Sequence, residues 1–212
     1  MKRDQTRRVL GVDPGSRTTG WGIIDHAPDG ALTLVDCGSI SAARSRTLPD
    51  RLVTVHDALV RIIEEYRPHA LAIETAYSGP NVQSALRLGE VRAVAMLGAR
   101  KRGLSVHEYP PARIKKAVTG LGNARKGRVR DLVVAALGEE VLHVAQDFDT
   151  TDALAAAICH VYDVGGLPEA LAGIGVAAGS IGGGAKLGKR RKGSARFTAQ
   201  DLARRGLLPE GS

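Results

Sequence analysis

Between residues 9 and 22 the chain reads Val-Leu-Gly-Val-Asp-Pro-Gly-Ser-Arg-Thr-Thr-Gly-Trp-Gly, an order that few folds accommodate. The apolar run 9–12 has the composition of a buried strand, Asp13 stands at its end, and Pro14 and Gly15 force a turn directly after it. A carboxylate is thereby held at the edge of a sheet. Gly20 and Gly22 bracket Trp21 on the way into a second β-like run, 21–24, so the stretch reads as a hairpin with a tight backbone approach. A plainer alternative is that Asp13 only begins the turn through an Asx-type hydrogen bond. The rest of the chain has to decide.

At 212 residues the chain has room for one domain with a real core and a tail. No stretch approaches the ~18 consecutive apolar residues of a membrane span, and the start of the chain lacks the apolar segment of a signal peptide. The cytoplasm is the expected compartment. Cys37 and Cys159 are too far apart in sequence for a zinc motif and read as free thiols in a reducing environment.

The formal net charge of +8 suggests a polyanionic partner, and its distribution is informative. Residues 165–212 hold 12 of the 26 glycines and eight Lys/Arg against three Asp/Glu, the composition of a flexible basic tail. The body, 1–164, carries little excess charge overall. Within it, however, the span 100–130 has ten basic residues against one acidic residue, Glu108. A charge run is ordinarily the solvated face of one helix; this one crosses a strand, a helix and a loop, and predicts a positive surface.

Three β-like runs, 9–13, 21–25 and 32–40, are joined by turn residues and predict an antiparallel meander. Leu52, Val55, Leu59, Ile62 and Tyr66 then recur at helical spacing between Pro49 and Pro68. The run 70–74 closes on Glu74 and follows a crossover helix, which makes it a parallel neighbour of the first strand. A helix over 82–102 carries Leu86, Leu88, Val91, Val94, Met96 and Leu97 around most of its circumference, more than one sheet can bury. Either it is a fully buried core helix or its surplus face meets a second subunit.

A strand over 104–109 follows, then a short helix bearing Lys115 and Lys116, the loop 120–123, and a helix from Lys126 to Leu137. The segment 138–148 has no clear pattern. The last helix of the body begins near Phe148, with Asp149 and Asp152 three apart on one face of its first turns. Taken alone, that pair reads most simply as a helix cap and its companion. His160 lies two turns past Asp152, ~12 Å along a helix and too far to share an ion; a place at the helix C-terminus is its expected role.

Asp13 on the first strand, Glu74 on the fourth, and Asp149 and Asp152 on a late helix form a pattern. That pattern, with this order of elements, resembles the ribonuclease H-like superfamily, an α/β fold with a five-stranded mixed sheet flanked by helices. Four crowded carboxylates raise one another's pKa unless a cation neutralises them, and hard oxygen ligands suit Mg²⁺ or Mn²⁺. Two such ions per site clamp the attacking and leaving oxygens of a phosphodiester. Hydrolysis to a 5′-phosphate and a 3′-hydroxyl is the expected chemistry.

More narrowly, four separated segments resemble the RuvC family of Holliday junction resolvases, in order and across about residues 8–163. They are Gly-Val-Asp-Pro-Gly-Ser-Arg-Thr-Thr-Gly at 11–20, Ala-Ile-Glu at 72–74, Ser-Ala-Leu-Arg-Leu-Gly at 84–89, and Asp-Thr-Thr-Asp-Ala-Leu-Ala at 149–155. The resemblance implies that Asp13, Glu74, Asp149 and Asp152 are the metal-binding catalytic carboxylates. It implies that Tyr77 acts on bases near the crossover, and that Lys115 and Lys126 contact the junction near the scissile phosphate. Further implications are resolution of four-way DNA junctions by paired symmetric nicks in recombination and repair, a homodimer, and a branch-migration motor of the RuvA and RuvB type as partner.

Two other readings stay open at this point. The Asp-Xaa-Gly-Ser stretch also resembles the first phosphate loop of actin-like ATPases and sugar kinases, although those need a second lobe with its own loop. A junction-binding module without catalysis would share the positive surface but would lose nothing when a carboxylate is replaced.

Overall fold

Strong β formers separated by turn residues open the chain, and they pair as the sequence predicts. In the computed structural model, which describes residues 6–15, 17–42, 47–75, 82–145 and 147–165, β1 (Arg7–Asp13), β2 (Thr18–His26) and β3 (Leu32–Ser41) form an antiparallel meander. Helix α1 (Leu48–Tyr66) starts earlier than its apolar repeat because Thr47 and Asp50 form a capping box over its first turn. β4 (Ala70–Glu74) then returns parallel to β1. After α2 (Val82–Lys101), β5 (Ser105–Tyr109) adds parallel to β4, so the sheet order is β3-β2-β1-β4-β5. The chain therefore has the expected five-stranded mixed sheet.

Three helices follow: α3 (Pro111–Thr119), α4 (Lys126–Leu137) and the short α5 (Glu140–Val144). The unpatterned segment before the last helix thus contains a helical turn, with only Val141 of that turn buried and too little periodicity to announce it. Helix α6 (Phe148–Gly165) closes the described fold. No described helix is long and apolar enough to cross a membrane. Tyr77 and the tail from 166 onward lie outside the described residues.

The sheet is buried on both faces, and strand alternation sorts its side chains between two cores. Leu10, Val12, Trp21, Ile23, Leu71 and Ile73 face α1 and α2. Val9, Ile24, Cys37 and Ala72 face the layer of α3 to α6. On this second face α6 lies with its backbone almost on the sheet. Gly11 and Gly22 are register partners across β1 and β2. A Cβ at Gly11 would fall 1.9 Å from the Ala153 carbonyl oxygen, and one at Gly20 would fall 2.0 Å from that of Asp149. Ala153, Ala155, Ala156 and Ala157 are fully buried in the helix that takes this seat.

Candidate active site

Strand alternation decides where the first two carboxylates point. Val12 and Ile73 are registered partners on β1 and β4, and the next residue of each strand is Asp13 and Glu74. Asp13 shares a face with Val9 and Gly11, and Glu74 shares one with Ala72, so both belong to the α6 side of the sheet. Asp13 is also the register partner of Gly20. Because Gly20 lies directly beneath the Asp149 carbonyl, the glycine contact that seats α6 also brings its first turn over Asp13.

At that end of α6 the capping group is Asp147. Its Oδ1 accepts a hydrogen bond from the Thr150 backbone N–H at 2.8 Å, and its carbonyl accepts one from the Thr151 hydroxyl at 3.2 Å. Asp149 and Asp152 are therefore released from the capping role that their spacing also allowed. Instead, Asp152 Oδ2 accepts a hydrogen bond from Lys126 Nζ at 2.9 Å, from the first residue of α4. The Lys126 ammonium also lies 5.9 Å from the centroid of the Phe148 ring.

The four groups act on one another. Burial raises the Asp13 carboxyl to about 8, with added repulsion from Glu74, Asp152 and Asp149 and partial relief from Lys126. Burial likewise lifts Glu74 to about 7, reinforced by Asp152 and opposed by Lys126 and Lys115. Asp149 is raised by burial and by Asp147. In the other direction, the hydrogen bond to Asp152 raises Lys126 above the ordinary lysine value, with help from Asp13 and Asp149.

Among the described residues, no three Asp, Glu, His or Cys side chains converge as a ready cation cage. The donor set is all oxygen, half-buried and short of positive charge, which fits hard divalent cations and not softer metals.

Lys115, on α3, is near enough to ease Glu74, so both lysines singled out in the sequence come to the site. Tyr77 is outside the described residues. His160 does not face a helix C-terminus as expected. It is buried, with Nδ1 2.9 Å from the Tyr109 hydroxyl and its ring centroid 4.3 Å from that of His107. Burial and His107 lower it to about 4, so it is a neutral core histidine at physiological pH. Reading the sequence missed the cap, Asp147, and the exposed aromatic beside it, Phe148. Asp147 had a usable signal: it stands three residues before Thr150, the offset of a capping aspartate.

The family model and the curated relatives agree on one family. The family model for crossover junction endodeoxyribonuclease RuvC matches residues 9–160. A protein of that description from Chloroflexus aurantiacus is 41% identical over 155 residues, covering 73% of this chain and 93% of its own length. The solved structure of Thermus thermophilus RuvC superposes with a TM-score of 0.67 at 25% identity, covering 75% of this chain and 96% of that one. The T. thermophilus protein in complex with a Holliday junction substrate gives a TM-score of 0.69 at 23% identity, covering 74% and 94%.

Proposed function

The chain belongs to the RuvC family of crossover junction endodeoxyribonucleases, and on that premise we propose that Asp13, Glu74, Asp149 and Asp152 are the site at which it resolves four-way DNA junctions. The observation that carries this reading is where the four carboxylates stand. Two strand ends and the first turns of α6 place them where burial, and then repulsion from Glu74, Asp152 and Asp149, raises Asp13 to about 8, an arrangement that packing alone does not require.

These carboxylates are the residues that would hold Mg²⁺ or Mn²⁺, two to a site, and ions there supply an activated water and charge stabilisation for the leaving 3′ oxygen. The protein's own groups do the rest. Lys126 and Lys115 bring positive charge to the rim of the cluster, where a phosphodiester approaching the carboxylates would otherwise be repelled. Attack by water forms one P–O bond and breaks the P–O3′ bond, leaving a 5′-phosphate and a 3′-hydroxyl. A synthetic four-way junction incubated with the protein and Mg²⁺ or Mn²⁺ tests this. Two symmetry-related nicks with ligatable ends are expected; cleavage of linear duplex at the same rate would overturn the assignment.

If Lys126 acts on the scissile phosphate, Lys126→Ala slows single-turnover cleavage at saturating junction by ~10²-fold, with a much smaller loss of binding. A lysine serving only as surface charge gives the reverse, with weaker binding and normal cleavage once bound.

A junction offers two equivalent strands and each chain one set of carboxylates, so the acting species is a two-fold dimer. Helix α2 supplies the surface for it. Val91, Ala95 and Ala99 are buried in the core that α2 shares with α1 and the sheet, whereas Val82, Leu86 and Leu97 fall on the opposite side and are more than half exposed. Val94, another apolar residue of this helix, packs partly against the core and is unsuitable for testing this surface. Leu86→Glu is expected to give folded monomers in sedimentation that nick one strand at a time or not at all. The cytoplasm is the compartment of such a substrate, and a RuvA and RuvB type motor is the partner complex that family membership suggests.

A further inference from the structure

The rim of the carboxylate cluster carries an aromatic ring that the catalytic reading does not use. Phe148 is the first residue of α6 and is 47% exposed. The other described aromatic rings are covered or half-covered: Trp21 is fully buried, Tyr109 nearly so, and Tyr66 and Tyr162 are intermediate.

Helix packing does not explain the ring. The first helical position favours Pro or a small or acidic residue, and a half-wet Phe there leaves apolar surface in water. Its backbone is pinned all the same, because Asp147 caps the helix through Thr150 directly around it. The ring is held beside Asp149 in the sequence and 5.9 Å from the Lys126 ammonium, which itself reaches Asp152. An apolar π-face, a cation and the carboxylates therefore lie in one short row.

That row matches the parts of a nucleotide in which base and phosphate are close neighbours. At ~3.4 Å per nucleotide along a strand, the separation of ring and ammonium is under two steps. Every base has a π-face, and aromatic side chains capture bases that are not stacked in a duplex, as at a crossover where four arms exchange strands. We propose that Phe148 is a stacking platform for the base next to the scissile phosphate. It thereby holds that phosphate beside Asp149, Asp152 and Lys126. The inference rests on the reading of the four carboxylates as the cleavage site.

The test is a coupling measurement on the full chain. Wild type, Phe148→Trp, Phe148→Leu and Phe148→Ala are compared on one four-way junction, intact or with a single abasic nucleotide at each position flanking the cut. The readouts are the junction concentration at half-maximal single-turnover rate and the thermal midpoint. On the intact junction, Trp keeps half-saturation near wild type, whereas Leu and Ala raise it by about tenfold. At one abasic position the four proteins become alike, because the stacking partner is gone.

Leu keeps an apolar side chain at this position but has no π-face, so its loss is one of π-stacking and not of apolar surface. The inference is overturned if Leu equals Phe on the intact junction, or if the abasic and Phe148 effects multiply at every position. A wild-type protein that does not cut the junction overturns the active-site reading itself, a result visible before any variant is made.

Discussion

Asp13→Asn is expected to abolish junction cleavage while leaving a folded protein that still binds the junction and is more stable than wild type at pH 8 in chelator. The loss of rate should be ~10³-fold or more, because Asp13 stands among the other three carboxylates, each of which acts on it. Binding should hold or tighten, since removing a negative charge near the phosphates eases their approach.

The stability effect follows from the direction of the shift. Asp13 is raised from 3.8 to about 8. Below the lower value both states are protonated and the folded chain has its full stability. Between the two values the unfolded chain ionises while the folded chain keeps its proton, so stability falls as pH rises and levels off above about 8. Thermal melts in chelator from pH 5 to pH 8 should show wild type losing stability and Asp13→Asn losing less. Mg²⁺ should restore wild type at pH 8 far more than the variant. Persistent nicking by Asp13→Asn would end the assignment.

The residues that were legible in the sequence are those whose placement follows from a local period. A β-like run that ends on a carboxylate fixes that carboxylate at a strand end, so Asp13 and Glu74 could be read without knowing their neighbours. Two aspartates three apart at a helix start share a face, which made Asp149 and Asp152 a pair. What period cannot give is the identity of the surface a helix meets. The 82–102 helix looked apolar around most of its circumference, and only packing shows that Val91, Ala95 and Ala99 face the core while Leu86 and Leu97 do not.

His160 was misread for the same reason: its partners, Tyr109 and His107, come from β5 and are some fifty residues away. Helix α5 was missed because a single turn has no period to detect. Gly20 and Gly22 did announce a close approach, but nothing in the sequence said that Asp149 and Leu154 make it.

That contact supplies the second large effect. At Gly20→Ala the new methyl group would fall 2.0 Å from the Asp149 carbonyl oxygen and 2.8 Å from the Thr150 nitrogen. Both are backbone atoms of a capped first turn, so no side chain can turn aside and the end of α6 must lift. Overpacking of this kind costs about 1–3 kcal/mol of stability. On the proposed assignment, a shift of ~1 Å between these carboxylates costs about 10²-fold in rate, because Asp149 and Asp152 move with the helix while Asp13 stays with the sheet.

Gly22→Ala is the matched control, two residues along the same strand and on the same face. Its methyl would meet the Leu154 side chain, whose nearest atom is at 2.4 Å, one turn further into the helix and away from the carboxylates. The close atoms, Cδ2 and Cγ, belong to a side chain and not to the backbone of the first turn, so the strain is taken up by repacking around Leu154 and the first turn keeps its place. Both variants should melt below wild type, and only Gly20→Ala should lose cleavage by two orders of magnitude at saturating junction. Equal rates for the two, at comparable losses of thermal midpoint, would mean that the glycine seat serves folding alone and that α6 does not bring its carboxylates to Asp13 through it.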